Sequence, residues 1–171
     1  HPDEAQQFSA AVFSDLDDAE ARFRAGIKVL QEFPLTDKEK IAAVGYCFGG
    51  GVVLHMARAG MDLDAVVSFH GSLSAKKAAE PGVMTARVLV VTGADDPMVP
   101  QEQVDAFIQE MEAAGADFRV ISYEGATHSF TNPQADEIAQ KFGLPVAYNA
   151  QADQRSWEEM KKFLNSALNE P

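Results

Sequence analysis

Ala43-Val44-Gly45-Tyr46-Cys47-Phe48-Gly49-Gly50-Gly51-Val52 is the stretch whose reading decides the fold. Ahead of it, Ile41-Ala42-Ala43-Val44 is an apolar run of strand length; after it, Val52, Val53, Leu54 and Ala57 open a helical pattern. Between the two, glycines bracket the single cysteine of the chain. G-x-C-x-G therefore reads as strand, tight turn, helix, with Cys47 at the apex. Such a turn strains the backbone of its central residue, and it asks for glycine on either side, where a Cβ strikes the neighbouring strand or helix. The strain lifts a nucleophile out of the sheet. The N–H groups that follow, that of Phe48 first, lie at a helix N-terminus, where they stabilise an anion. A free cysteine is also a common packing residue, so the elbow reading depends on what the rest of the chain brings to it.

Downstream, Ala65-Val66-Val67-Ser68-Phe69-His70 and Ala86-Arg87-Val88-Leu89-Val90-Val91-Thr92 are further apolar runs, the second apolar for most of its length. That pattern predicts strands buried on both faces, as in a parallel sheet. Phe118-Arg119-Val120-Ile121-Ser122-Tyr123 predicts a fourth strand. Helical spacing predicts helices over residues 16–31, 50–59, 101–114 and 151–168. Residues 1–11 read as a polar lead-in loop, residues 124–130 as the loop after the fourth strand, and the long irregular stretch from there to about Tyr148 as a functional or covering loop. Strands alternating with helices imply a parallel α/β sheet, whose working residues sit beyond the carboxyl ends of the strands. Cys47, Asp95-Asp96 and His128 each follow a different strand, in the order nucleophile, acid, base. Taken singly, Asp before Pro97 is a common turn former and His128 an ordinary loop residue. Together they fit one site.

The chain has 171 residues, enough for one domain with a sizeable core. Hydrophobic residues make up 46% and charged residues 23% of it, as in ordinary globular proteins. A net charge of −12 argues against a nucleic-acid partner and means that an anionic substrate needs a local positive site. One cysteine excludes an internal disulfide and fits a reducing, cytoplasmic setting. No apolar stretch is long enough to cross a membrane, so no membrane partner is expected. No charged-then-apolar segment opens the given sequence, and His1 in place of Met leads to the expectation of a trimmed or processed N-terminus. No metal-ligand cluster is visible, and neither a metal nor another cofactor is expected. The oligomeric state is not specified.

Gly45-Tyr46-Cys47-Phe48-Gly49-Gly50, Gly93-Ala94-Asp95-Asp96-Pro97-Met98-Val99-Pro100 and Gly125-Ala126-Thr127-His128-Ser129-Phe130 together resemble the dienelactone hydrolase family of α/β-hydrolases. The Tyr148-Asn149-Ala150 and Arg155-Ser156-Trp157 segments are similar to the lead into that family's last helix. The resemblance implies a single α/β-hydrolase domain over residues 1–171, with a three-layer fold and a mostly parallel sheet. It implies Cys47 as nucleophile, Asp96 as acid through its spacing to Val99-Pro100, His128 as base, and the Phe48 N–H as an oxyanion donor. Tyr46, His70, Phe130 and Asn132 are the candidate pocket residues. The family places several strands ahead of the elbow, with a loop that gives a second oxyanion donor and a Glu that contacts the resting nucleophile. Here one predicted helix precedes Cys47. The sheet is therefore expected to lack its N-terminal strands, and residues 1–171 are not expected to make a complete enzyme alone. Asn132 stands where dienelactone hydrolases proper place a carboxylate-binding Arg, which argues against dienelactone as substrate.

The implied activity is cleavage of a small-molecule ester or lactone through a Cys47 thioester. Two other readings of the same residues stay open. A Cys-Asp-His set also serves a peptidase or another acyl transferase, because the triad does not choose the acyl group. A reactive Cys47 also serves a non-catalytic redox or regulatory protein.

Overall fold

The computed structural model describes residues 1–169. It divides into two compact units, one ending at Ile41 and one beginning at Ala42. The first holds helices α1 (Pro2–Ser14) and α2 (Leu16–Glu32). The lead-in expected as a loop is thus helical. Pro2 sits in the first turn with Asp3 and Glu4, favourable for the helix dipole. Ala5, Gln6 and Gln7 then propagate the helix without any buried face. Its polarity hid it, because apolar periodicity is the signal that marks a helix in sequence. Asp15 joins the two helices, and its carboxylate accepts the Asp18 N–H at 3.0 Å as the cap of α2.

The second unit is a parallel sheet of β1 (Ala42–Tyr46), β2 (Ala65–Phe69), β3 (Arg87–Gly93) and β4 (Phe118–Tyr123), in that spatial order. Register is continuous: Val44 faces Val67, Val67 faces Leu89, and Val90 faces Val120. The two middle strands are the buried ones, as their uninterrupted apolar runs require. Among the described residues β1 pairs on one side only, and Val44 and Tyr46 are about two-fifths exposed.

Helices cover both faces of this sheet. Helix α3 (Phe48–Arg58) begins directly after Cys47 and approaches so closely that Gly50 lies against Ser68 and Gly71. Helix α4 (Gln101–Ala114) sets Phe107 edge-on to Phe118 on the same face. On the other face Val67, Phe69, Leu89 and Val91 pack with Ala152 and Met160 of α6 (Ala150–Asn169). The stretch expected to be irregular contains a short helix, α5 (Ala135–Phe142). Asp136 and Glu137 in its first turn, Lys141 in its last, and Gly143 in the left-handed region beyond it define its ends. Its apolar residues Ala135, Ile138, Ala139 and Phe142 do recur at helical spacing, but eight residues with one buried position are too short a run to stand out from a loop in sequence.

Candidate active site

The parallel arrangement sends the chain out of β1, β3 and β4 on one side of the sheet, and it does so in register. Past the strand ends the ladder continues: Cys47 N–H donates to Phe69 O at 3.0 Å, His70 N–H to Val91 O at 2.8 Å, and Ala94 N–H to Tyr123 O at 2.9 Å. These bonds fix the exits of β1, β2 and β3 to one platform, and the Asp95 N–H bond to Ala126 O at 3.0 Å ties the loop after β4 to it.

Cys47 adopts φ 51° and ψ −118°, the strained geometry expected of the elbow. The glycine requirement differs from the simple pattern. A Cβ at Gly45 would run into the Gly49 carbonyl, and one at Gly50 would come within 2.6 Å of Ser68 Oγ. At Gly49, the second glycine of the pattern, a Cβ meets nothing within 4 Å. The close approach of helix to strand therefore falls one residue later than G-x-C-x-G suggests.

Cys47, Asp96 and His128 come together. His128 Nδ1–H donates to Asp96 Oδ2 at 2.9 Å, and His128 Nε2 lies 3.1 Å from Cys47 Sγ. Asp96 is buried, and its second oxygen accepts the Met98 N–H at 2.8 Å, which fixes the carboxylate from both sides. Asp95 is exposed and donates its backbone N–H to Ala126 O at 3.0 Å, so it serves the turn and not the pair with His128. The hydrogen bond from His128 lowers the Cys47 pKa against the opposing effect of burial, and the Phe48 N–H lowers it further. Burial pulls His128 down, but the hydrogen bonds to Asp96 and Cys47 outweigh it and raise its pKa to about 9. Both directions favour a thiolate facing an imidazolium.

Around the sulfur opens a cleft of about 540 Å³. Of the expected pocket residues, Tyr46, His70 and Asn132 line it. Phe130 does not. It is fully buried, edge-on to His70 at 5.3 Å between ring centroids and packed in the apolar cluster under the site. An aromatic two residues past His128 is drawn into the core because the loop turns back at Ser129, whose φ is 60°. Sequence reading missed Ser129, Thr131 and Pro133 on that loop, and Asp153 and Trp157 on α6. The last two were legible in one respect: they are four apart, so on a helix they share a face. His70 is buried beside His128, with ring centroids 5.2 Å apart, and its Nε2 shares a hydrogen bond with Thr131 Oγ1 at 2.9 Å. Burial, then the neighbouring charge of His128, lowers its pKa to about 4, so His70 is neutral at ordinary pH.

Among the described residues no cluster of His, Cys, Asp and Glu forms a metal site, and no helix is long and apolar enough to cross a membrane.

Known proteins resemble this chain in sequence and fold. An uncharacterized protein of Caenorhabditis elegans is 38% identical, the match covering 86% of this chain and 92% of that protein. A solved structure of a dienelactone hydrolase-like promiscuous phosphotriesterase from metagenomic libraries superposes with a TM-score of 0.85 at 36% identity, covering 94% of this chain and 66% of that one. A second structure, m3DLH, superposes with a TM-score of 0.89 at 33% identity, covering 99% and 69%. The chain spans 46% of the length of a relative in Yersinia pestis and 62% of one in Synechocystis, at 29% and 25% identity. Residues 1–168 match the dienelactone hydrolase family, and with its parallel sheet and α/β-hydrolase neighbours the chain belongs to that family of hydrolases.

Proposed function

We propose that this hydrolase cleaves carboxylic esters, lactones among them, through a thioester on Cys47. The observation that carries the reading is the two-sided hydrogen bonding of His128, at 2.9 Å to Asp96 and 3.1 Å to Cys47. The Cys47 thiolate attacks the carbonyl carbon, and its lone pair becomes the new S–C bond while the carbonyl π pair moves to oxygen. The Phe48 N–H, at the start of α3, stabilises that oxyanion. As the C–O bond breaks, the imidazolium of His128 gives its Nε2 proton to the departing alkoxide. Neutral His128 then takes a proton from water, the hydroxide adds to the thioester, and the thiolate leaves with the acid as product. Asp96 holds the tautomer of His128 and stabilises its charged form. A thiol used only for redox signalling has no need of Asp96 buried behind His128.

The 36% identical phosphotriesterase favours a second reading, in which the same thiolate attacks phosphorus in a phosphotriester. Hydrolysis of p-nitrophenyl acetate and of diethyl p-nitrophenyl phosphate by the parent, Cys47→Ala, Cys47→Ser and His128→Gln separates these readings. The expected result is ester turnover in the parent, reduced about 10⁴-fold in Cys47→Ala and His128→Gln and at least about 10²-fold in Cys47→Ser. Equal ester rates in parent and Cys47→Ala overturn the nucleophile assignment. Turnover of the phosphotriester alone replaces the ester reading with the second one.

A further inference from the structure

The cleft above Cys47 has an asymmetric charge. No Lys or Arg lines it among the described residues, whereas Asp153 does. His70, the other titratable group on its wall beside Tyr46 and the reacting pair, stays neutral at ordinary pH because of burial. Cys47 and His128, as thiolate and imidazolium, cancel, and the Asp96 carboxylate buried behind His128 adds negative charge beneath the floor rather than on the wall. Asp153 is therefore the uncompensated charge of the wall.

Asp153 is held in place without being neutralised. Its Oδ2 accepts the Tyr148 hydroxyl at 3.1 Å, and its backbone N–H donates to Asn149 O at 2.9 Å within the first turn of α6. None of the ion pairs of the described residues involves it, and the side chain is half-buried rather than free in solvent. Its field extends across the cleft. Burial first, and then the Asp153 charge, raises the pKa of the Tyr46 phenol. One turn along α6, Trp157 lines the same cleft with its side chain 48% exposed, and Tyr46 presents a second ring, 41% exposed and stacked on Phe69 at 4.5 Å. Exposed rings beside a carboxylate form a site for an organic cation. The ring faces attract the charge and tolerate its hydrocarbon surface, while the carboxylate supplies the counter-charge. The same wall repels a carboxylate, and the chain's net charge of −12 adds to that repulsion at long range.

We infer that the cleft selects esters carrying a cationic group, an ammonium ester rather than an anionic lactone, with Asp153 as the specificity-determining residue and Tyr46 and Trp157 as the rings that flank the charge. This rests on the ester reading of the site given above. The helical position of Asp153 has a competing structural explanation, since an acidic residue in a first turn also stabilises the helix. The test must therefore read charge discrimination rather than stability.

Two arms are needed, both with the full chain at low ionic strength. In the first, a pH-stat measures kcat/KM for acetylcholine and for its uncharged carbon isostere, 3,3-dimethylbutyl acetate. The parent is expected to favour the cationic ester about tenfold. Asp153→Asn should bring that ratio close to one. Glu137→Gln removes the same charge from an exposed position on α5 outside the cleft and should leave the ratio as in the parent. In the second arm, phenyltrimethylammonium and benzoate are titrated while the fluorescence of Trp157, the single tryptophan, is recorded. Only the cation should quench at millimolar concentration, and Asp153→Asn should lose that response. A ratio at or below one in the parent, a ratio unmoved by Asp153→Asn, or benzoate binding as well as the cation overturns the inference. If no ester of any charge is hydrolysed, the ester reading fails, and the fluorescence titration still decides the charge preference.

Discussion

The floor of the cleft and its outer wall are built on opposite terms. On the floor, Asp96 and His128 are buried, each held from two directions, and the backbone at Cys47, His70 and Ser129 is forced to positive φ. These three are the only non-glycine residues at positive φ among the described residues, and all three line the cleft. On the wall, Tyr46 and Trp157 are about half exposed and Asn132 is partly so, each on a different element. Strain at the floor persists because the strand ladder and the close helix over-determine it. The wall carries no such constraint. On the proposed mechanism, chemistry is fixed where the fold is stiff, and selectivity is placed where a side chain can change without disturbing packing.

If that division is right, substitutions should fall in a steep order from floor to wall. Asp96→Asn removes the charge behind His128 while keeping its shape and should lower kcat/KM for p-nitrophenyl acetate about 10³-fold, with an unchanged urea midpoint. A comparable drop in stability instead would mark Asp96 as a structural residue. Gly45→Ala forces a methyl into the Gly49 carbonyl and should cost about 3 kcal/mol in urea denaturation. Gly49→Ala, which meets open space in a helix, should be neutral or stabilising by up to about 1 kcal/mol. Equal costs for the two glycines would break the account of the elbow.

The pH dependence sharpens the same contrast. Cys47 is lowered and His128 raised to about 9, so the thiolate–imidazolium pair forms below the pH of a free thiol and persists until His128 loses its proton. Ester turnover should fall on the alkaline side with a midpoint near pH 9, because neutral His128 cannot protonate the leaving group. In His128→Gln the pH profile of iodoacetamide alkylation at Cys47 should move up toward that of a free thiol. A parent profile already matching a free thiol would remove the ion pair from the mechanism. The smallest effect is expected at the wall: Asn132→Ala should change kcat/KM for p-nitrophenyl acetate by less than about threefold, since its side chain accepts the Gln134 N–H beside it and shows no bond to the reacting groups among the described residues.

Much of this was written in local sequence. The apolar runs of β2 and β3 read as strands buried on both faces, and the glycine bracket around Cys47 read as a tight turn, two of whose glycines, Gly45 and Gly50, the close packing requires. The residues alone left Asp95 and Asp96 open, and only the resemblance, through the spacing to Val99-Pro100, favoured Asp96, which is buried against His128 while Asp95 is exposed. Helix α1 escaped notice because its first half is polar and it buries no residue, and α5 because its helical spacing of apolar residues runs for only eight residues. What the tertiary structure alone decided was which residues from distant elements share the cleft. Phe130 went into the core and not the pocket because the chain reverses at Ser129, a non-glycine residue whose positive φ no sequence pattern announces. Asp153 and Trp157 reached the cleft because α6 packs across Phe69 and Val91 with one particular rotation about its axis. Sequence periodicity specifies which face of a helix is apolar; the fit of that face against the sheet determines what its edges overlook.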